Sequence, residues 1–136
     1  MNNGRQVAVQ ALLRVETADS YSNIVLDRLL ESSRLSARDR AFSSALFYGV
    51  LEKKLTLDYV ISQYSSLPFG KMDPLVRQLL RLAIYQIVYM DGVPESAAVN
   101  ESVGLAKKMG KGRAAGFING VLRSFLRAGG EIRLPQ

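Results

Sequence analysis

The sequence predicts an all-α fold: a bundle of about seven helices with short connections, arranged as two packed subbundles. Three observations lead there. Apolar residues recur three and four positions apart along nearly the whole chain. Period-two alternation is scarce, and so are the Asn-Gly and Asp-Gly pairs that join strands in tight hairpins. The 136 residues, 48% apolar and 22% charged, suffice for one domain with one core and exclude wholesale disorder.

The first helix is expected from about Gly4 to Thr17, capped by Asn3, with Ala8, Ala11, Leu12 and Val15 on one face. A second follows Ser22 and turns Val25, Leu26, Leu29 and Leu30 inward. Ser36 caps a third, whose apolar stripe is Phe42, Ala45, Leu46, Gly49 and Val50; Asp39 in its first turn suits the helix dipole. A fourth follows Thr56, burying Leu57, Val60, Ile61 and Tyr64. The stretch Ser65-Ser66-Leu67-Pro68-Phe69-Gly70 is the candidate hinge between the halves. Asp73-Pro74 then marks a strong helix start, a capping acid followed by proline at the first helical position. The helix from there to about Met90 is apolar almost all round and belongs in the middle of the bundle. Gly92-Val93-Pro94 breaks the chain before a sixth helix, acidic early at Glu95 and Glu101, basic late at Lys107 and Lys108, and stopped by Gly110. The last helix is expected from about Lys111 to Ala128, ending at Gly129-Gly130.

Charge separates the body from its end. From Met1 to Val103 there are eleven basic and eleven acidic residues; from Gly104 to Gln136 there are seven basic and one acidic. The last quarter therefore carries the net charge of +6, as a local surface for a polyanion would, although a solubilising bias has the same composition. With no Cys and no His, disulfides, Cys/His zinc sites, thiolate nucleophiles and a Ser-His-Asp triad are excluded. The carboxylates are scattered. Asp39, between Arg38 and Arg40, reads as a structural ion pair, and neither a catalytic residue nor a metal site is expected. No run is long and apolar enough for a signal peptide or a membrane span, so a cytoplasmic location and no membrane partner are expected.

The last helix carries the sharpest local pattern. Ala114, Phe117, Ile118, Val121, Leu122 and Phe125 must face the core, which leaves Arg113, Gly116, Gly120, Arg123 and Arg127 as one stripe on the other side. Guanidiniums separated by residues without side chains would let a phosphate backbone come close, and the planar fork of Arg holds phosphate bidentately. Alternatively the glycines admit another helix and the arginines only solvate. Both hold if the packing partner is the first helix, whose Arg5 and Arg14 would then join the same surface. Lys107, Lys108 and Lys111, with Arg113, flank a Gly110/Gly112 turn that reads equally as a phosphate grip and as a solvated helix end. Gly110 to Ala115 also fits G-x-G-x-x-A, but it follows a helix instead of a strand and has no carboxylate about 20 residues on, so a helix junction is the better reading. Among the aromatics, Tyr21 is the one expected to be exposed and able to stack on a base.

Several strings, in order along nearly the whole chain, resemble one family. They are Val9-Gln10-Ala11-Leu12-Leu13, Asp39-Arg40-Ala41-Phe42, Leu46-Phe47-Tyr48-Gly49-Val50, Leu80-Arg81-Leu82-Ala83-Ile84-Tyr85-Gln86, Ala97-Ala98-Val99-Asn100-Glu101-Ser102-Val103 and Phe117-Ile118-Asn119-Gly120-Val121-Leu122-Arg123. Together they resemble the NusB-type RNA-binding domains, found as transcription antitermination factors and as the N-terminal domain of rRNA cytosine-C5 methyltransferases. Arg123, where the antitermination factors usually carry Asp, resembles the methyltransferase branch, and only Arg5 stands where those factors have an arginine cluster.

The resemblance implies a NusB-like RNA-binding domain over residues 1–130, with residues 131–136 starting a linker toward a catalytic domain. It implies rRNA as partner and, in the antitermination branch, a ribosomal protein; a monomer and a homodimer are both compatible with it. S-adenosylmethionine and the nucleophilic Cys of the family's reaction would lie in that other domain, and this segment would hold RNA without a cofactor. The expected RNA contacts are Arg5, Arg14, Tyr21, Lys107, Lys108, Lys111, Arg113, Arg123 and Arg127.

Overall fold

The computed structural model describes residues 3–18 and 21–134; Pro135 and Gln136 of the expected linker lie outside them. Seven α-helices are present among the described residues: α1 (Gly4–Ala18), α2 (Ser22–Ser33), α3 (Ala37–Glu52), α4 (Lys54–Tyr64), α5 (Pro74–Tyr89), α6 (Glu95–Lys108) and α7 (Ala115–Arg127). Short 3₁₀ turns at Phe69–Lys71 and Gly112–Ala114 complete the fold, and no described helix is long and apolar enough to cross a membrane.

Local chemistry accounts for the ends. Asn3 Oδ1 accepts from Gln6 N–H at 2.8 Å, Ser36 Oγ from Asp39 N–H at 3.1 Å and Asp73 Oδ1 from Leu75 N–H at 2.9 Å, so the three predicted caps are in place. Two boundaries differ from expectation. α4 begins at Lys54 and not after Thr56, because Lys53 alone separates it from α3, and the Lys53 N–H still bonds to Gly49 O at 3.0 Å. α7 begins at Ala115, because the preceding Gly112–Ala114 closes into a 3₁₀ turn. Asp39 is within 4 Å of no described cation, so the expected ion pair with Arg38 or Arg40 is replaced by its role in the capped first turn.

Helices α1, α2 and α3 pack on one another, and α4, α6 and α7 form a second group; α5 packs against both, in the first mainly through α1 and α3. Apolar side chains from all seven helices meet in one continuous core, in which Phe47, Phe125, Leu79, Leu80, Leu82 and Ile84 are fully covered. Within that core α5 keeps a polar seam. Arg81, only 4% exposed at its side chain, donates to Asp58 of α4 through Nε at 2.6 Å and Nη2 at 2.9 Å, and its Nη1 lies 3.3 Å from Glu16 Oε2 of α1. Arg77 Nη2 sits 2.8 Å from the other Glu16 oxygen, and Gln78 donates to Glu16 as well. The guanidiniums of Arg77 and Arg81 lie 5.6 and 5.3 Å from the Phe69 ring centroid, so the expected hinge segment is held against α5.

Candidate nucleic-acid interface

The basic end of the chain starts at the α6–α7 corner. Gly110 takes φ +83°, a left-handed conformation suited to glycine. The Lys111 N–H reaches Ala106 O at 2.7 Å and the Gly110 N–H reaches Lys107 O at 3.4 Å, which closes α6 with a Schellman turn. Gly110–Ala115 thus joins two helices, as expected, and not a strand to a helix. Lys107, Lys108, Lys111 and Arg113 are all exposed around this turn. Lys111 is not a free cation: its Nζ lies 2.8 Å from Asp73 Oδ2. Desolvation alone would raise the Asp73 pKa. The Lys111 ammonium and the backbone N–H groups of Leu75 and Val76 outweigh it and hold the carboxyl below its ordinary value.

Along α7 the predicted stripe is present from Gly116 to Arg127, while Arg113 falls in the 3₁₀ turn before the helix. Gly116, Gly120, Arg123 and Arg127 are exposed, while Ile118, Val121, Leu122 and Phe125 are buried. A Cβ built on Gly116 or Gly120 meets nothing within 4 Å, so no described helix of this chain packs against those glycines. Arg123 Nε donates to Asn119 Oδ1 at 3.3 Å and Arg127 Nη2 to Ser124 Oγ at 3.1 Å. Both partners are neutral, and no described carboxylate lies within ion-pair distance of Arg113, Arg123 or Arg127. From Gly116 to Arg127 the stripe covers roughly 16 Å at 1.5 Å per residue.

The first helix contributes differently from expectation. α7 lies mainly against α4, α5 and α6, not α1. Arg5 and Arg14 are nine residues apart, which is half a revolution at 3.6 residues per turn, so they face opposite sides. Arg5 turns inward, with Nε 2.7 Å from Gln86 Oε1, Nη1 3.5 Å from Glu101 Oε1 and its guanidinium 5.2 Å from the Phe42 ring centroid. Burial pulls its pKa below the ordinary value, against the pull of Glu101. Arg5 therefore does not join the α7 surface; it ties α1 to α3, α5 and α6.

Arg14 is exposed and shares a concavity with Tyr21 and Arg28, and Tyr21 is 80% exposed, as expected. A groove leads from there to the basic corner. Leu13 and Thr17 line both the depression beside Arg14 and the one that continues to Pro74, Met109 and Lys111. The structure thus brings Arg14, Tyr21 and Lys111 onto one path through α1 and sets Arg5 apart. Arg28 escaped the sequence reading because, as a lone cation among acids, it raises no local charge density. A larger cavity of about 750 Å³, lined by Phe42, Tyr85 and Tyr89, was also missed; its one sequence sign is the Tyr85/Tyr89 spacing of four.

With this geometry in place, the comparisons with known proteins decide the family. The NusB family model matches residues 2–127. The chain belongs to the NusB family. It is 41% identical over 125 residues to Probable ribosomal RNA small subunit methyltransferase B of Bacillus subtilis (strain 168), covering 92% of this chain and 28% of that protein. It is 37% identical over 121 residues to Transcription antitermination protein NusB of Bacillus velezensis (strain DSM 23117 / BGSC 10A6 / LMG 26770 / FZB42), covering 87% of this chain and 88% of that protein. The chain spans less than a third of the length of the methyltransferases it matches. Among solved structures it is similar to a crystal structure of antitermination factors NusB and NusE in complex with dsRNA, with a TM-score of 0.84, 19% identity and coverage of 92% and 94% of the two chains. The seven-helix NusB fold is thereby shown, and the NusB domain is similar both to parts of rRNA methyltransferases and to antitermination factors.

Proposed function

We propose that this NusB domain is the RNA-binding part of an S-adenosylmethionine-dependent small-subunit rRNA cytosine-C5 methyltransferase in the cytoplasm, and that it positions rRNA through phosphate contacts. The observation that supports this reading is a run of exposed arginines, Arg113 in the turn before α7 and Arg123 and Arg127 on α7, with the solvent-open Gly116 and Gly120 between the first and the second. Such a row holds a phosphate backbone through charge and bidentate hydrogen bonds, and it fixes position without reading bases. The 41% identities to rRNA methyltransferases from two organisms support the branch. The domain's own residues do not fit the cofactor: its Gly110/Gly112 turn joins two helices, Gly129-Gly130 only ends α7, and it has no Cys to attack a cytosine ring. Nucleophile and S-adenosylmethionine are therefore assigned to the rest of a longer protein, and this domain holds the RNA.

A gel-shift salt series with a small-subunit rRNA fragment tests the reading. Arg123→Glu/Arg127→Glu should weaken binding and lower the slope of log K against log salt by about one per lost phosphate contact. Unchanged affinity and slope, with the helical circular dichroism retained, refute it. The second reading, an antitermination factor acting with a ribosomal protein, is favoured by the near full-length match to the Bacillus velezensis protein. The coding sequence separates the two: continuation into a Cys-containing α/β domain supports the first, and a stop soon after Gln136 supports the second.

A further inference from the structure

We infer that the concavity between α1 and α2 is a second RNA subsite, one that takes an unpaired base on Tyr21 with flanking phosphates on Arg14 and Arg28. This deepens the proposed function and rests on it. The hollow holds about 280 Å³ and is lined by Arg14, Tyr21, Ile24, Val25 and Arg28. Tyr21 is 80% exposed and Ile24 45% exposed, so an aromatic face and an apolar edge stand in solvent side by side. Single large apolar side chains at a surface are common; here two of them sit in one hollow between two cations.

Those cations are unmatched among the described residues. Neither Arg14 nor Arg28 has an ion pair or side-chain hydrogen bond among the described residues, although Asp27 and Glu31 lie on the same helix as Arg28. By contrast, Arg5 is paired with Glu101 and Arg81 with Asp58 and Glu16. Two guanidiniums lining one hollow with an exposed ring fit the repeating chemistry of single-stranded nucleic acid, in which a charged phosphate alternates with a flat base. A base-paired duplex keeps its bases stacked inward and cannot present a face to Tyr21.

The groove through Leu13 and Thr17 continues from this hollow to Pro74 and Lys111. One strand can then lie in both places, gripped by phosphate alone along α7 and by phosphate and base at Tyr21. The subsite confers a preference for unpaired RNA that the α7 row lacks.

The test compares a 12-nucleotide oligouridylate with a duplex of equal length, both in low salt. Tyr21→Ala should lower affinity for the single strand about tenfold and leave the duplex nearly unchanged, while Tyr21→Phe, which keeps the ring, retains wild-type behaviour. Arg28→Gln should reduce the salt slope for the single strand by about 0.7. Equal losses for both RNAs, or no loss in Tyr21→Ala, overturn the subsite, as does unchanged RNA affinity with weakened capture of a ribosomal protein. The Arg123→Glu/Arg127→Glu variant separates the two readings. If it loses RNA while Tyr21→Ala does not, only the subsite fails; if neither loses RNA, the RNA-binding reading itself fails. Circular dichroism and thermal midpoints confirm that each variant is folded.

Discussion

Asp73 shows how one side chain serves two ends at the basic corner. Its Oδ1 caps α5 and its Oδ2 holds Lys111. The folded-state pKa lies below the ordinary value near 3.8, so on acidification the unfolded chain takes up the proton first. The charged form therefore adds stability that is complete above the unfolded pKa and is lost as pH falls through the lower, folded one. Asn caps a helix about as well as Asp, so Asp73→Asn isolates the charge. Urea unfolding should find Asp73→Asn less stable than the parent by under about 1 kcal/mol at pH 7, because the pair is partly exposed. The difference should shrink toward zero as pH drops below about 4; a gap that persists in acid would place the effect in the cap and not in the charge. The cap itself was legible from Asp73-Pro74. Its partner Lys111 was not, because nothing local ties residues 38 positions apart. That Arg5 does not join the α7 surface was illegible for a related reason: nothing local shows that Gln86, Glu101 and Phe42 hold it.

Helix α7 is the element on which the two readings of its glycines part. If Gly116 and Gly120 served to admit a neighbouring helix, a methyl group at either site would clash; the structure leaves both open. Ala exceeds Gly in helix propensity by about 1 kcal/mol, so Gly120→Ala should stabilise the domain by about 0.5–1 kcal/mol in thermal or urea unfolding. Under the proposed function RNA affinity in the same variant should fall, since the methyl would stand beside the guanidinium of Arg123 that is proposed to hold phosphate. Destabilisation would instead reveal a packing role. The α7 stripe was legible because a 3.6-residue period sorts core from surface unaided, as the buried set from Ile118 to Phe125 shows. The α3–α4 boundary was less so. A one-residue interruption at Lys53 carries neither Gly nor Pro, and the first turn of α4 merges with the rhythm of α3.

Whether the two helical groups behave as two bodies is a question for the whole molecule. The loop containing Leu67, Pro68, Phe69 and Gly70 reads as a hinge from composition, and composition is all a sequence offers there. Three features of the fold argue for a single body. The core is continuous from α1 to α7. The Phe69 ring lies against Arg77 and Arg81. Arg81 joins Glu16 of the first group to Asp58 of the second inside that core. No periodic signal links Glu16, Asp58 and Arg81, which is why an apolar helix with a narrow polar stripe gave no sign of this clasp. Removing Arg81 strands Asp58 at a largely buried site, while Glu16 keeps Arg77 and Gln78; losses of about 3–5 kcal/mol are typical when a buried pair is broken. Asp58 and Glu16 retain some access to solvent here, so Arg81→Ala should cost about 3 kcal/mol. Because the clasp and the core are shared, the parent should unfold in one transition, and amides of α2 and α7 should approach a common opening free energy in native-state hydrogen exchange. A variant in which α7 opens at lower denaturant than α2 would show that Arg81 supplies the coupling; the same split in the parent protein would show that the halves are separate bodies after all.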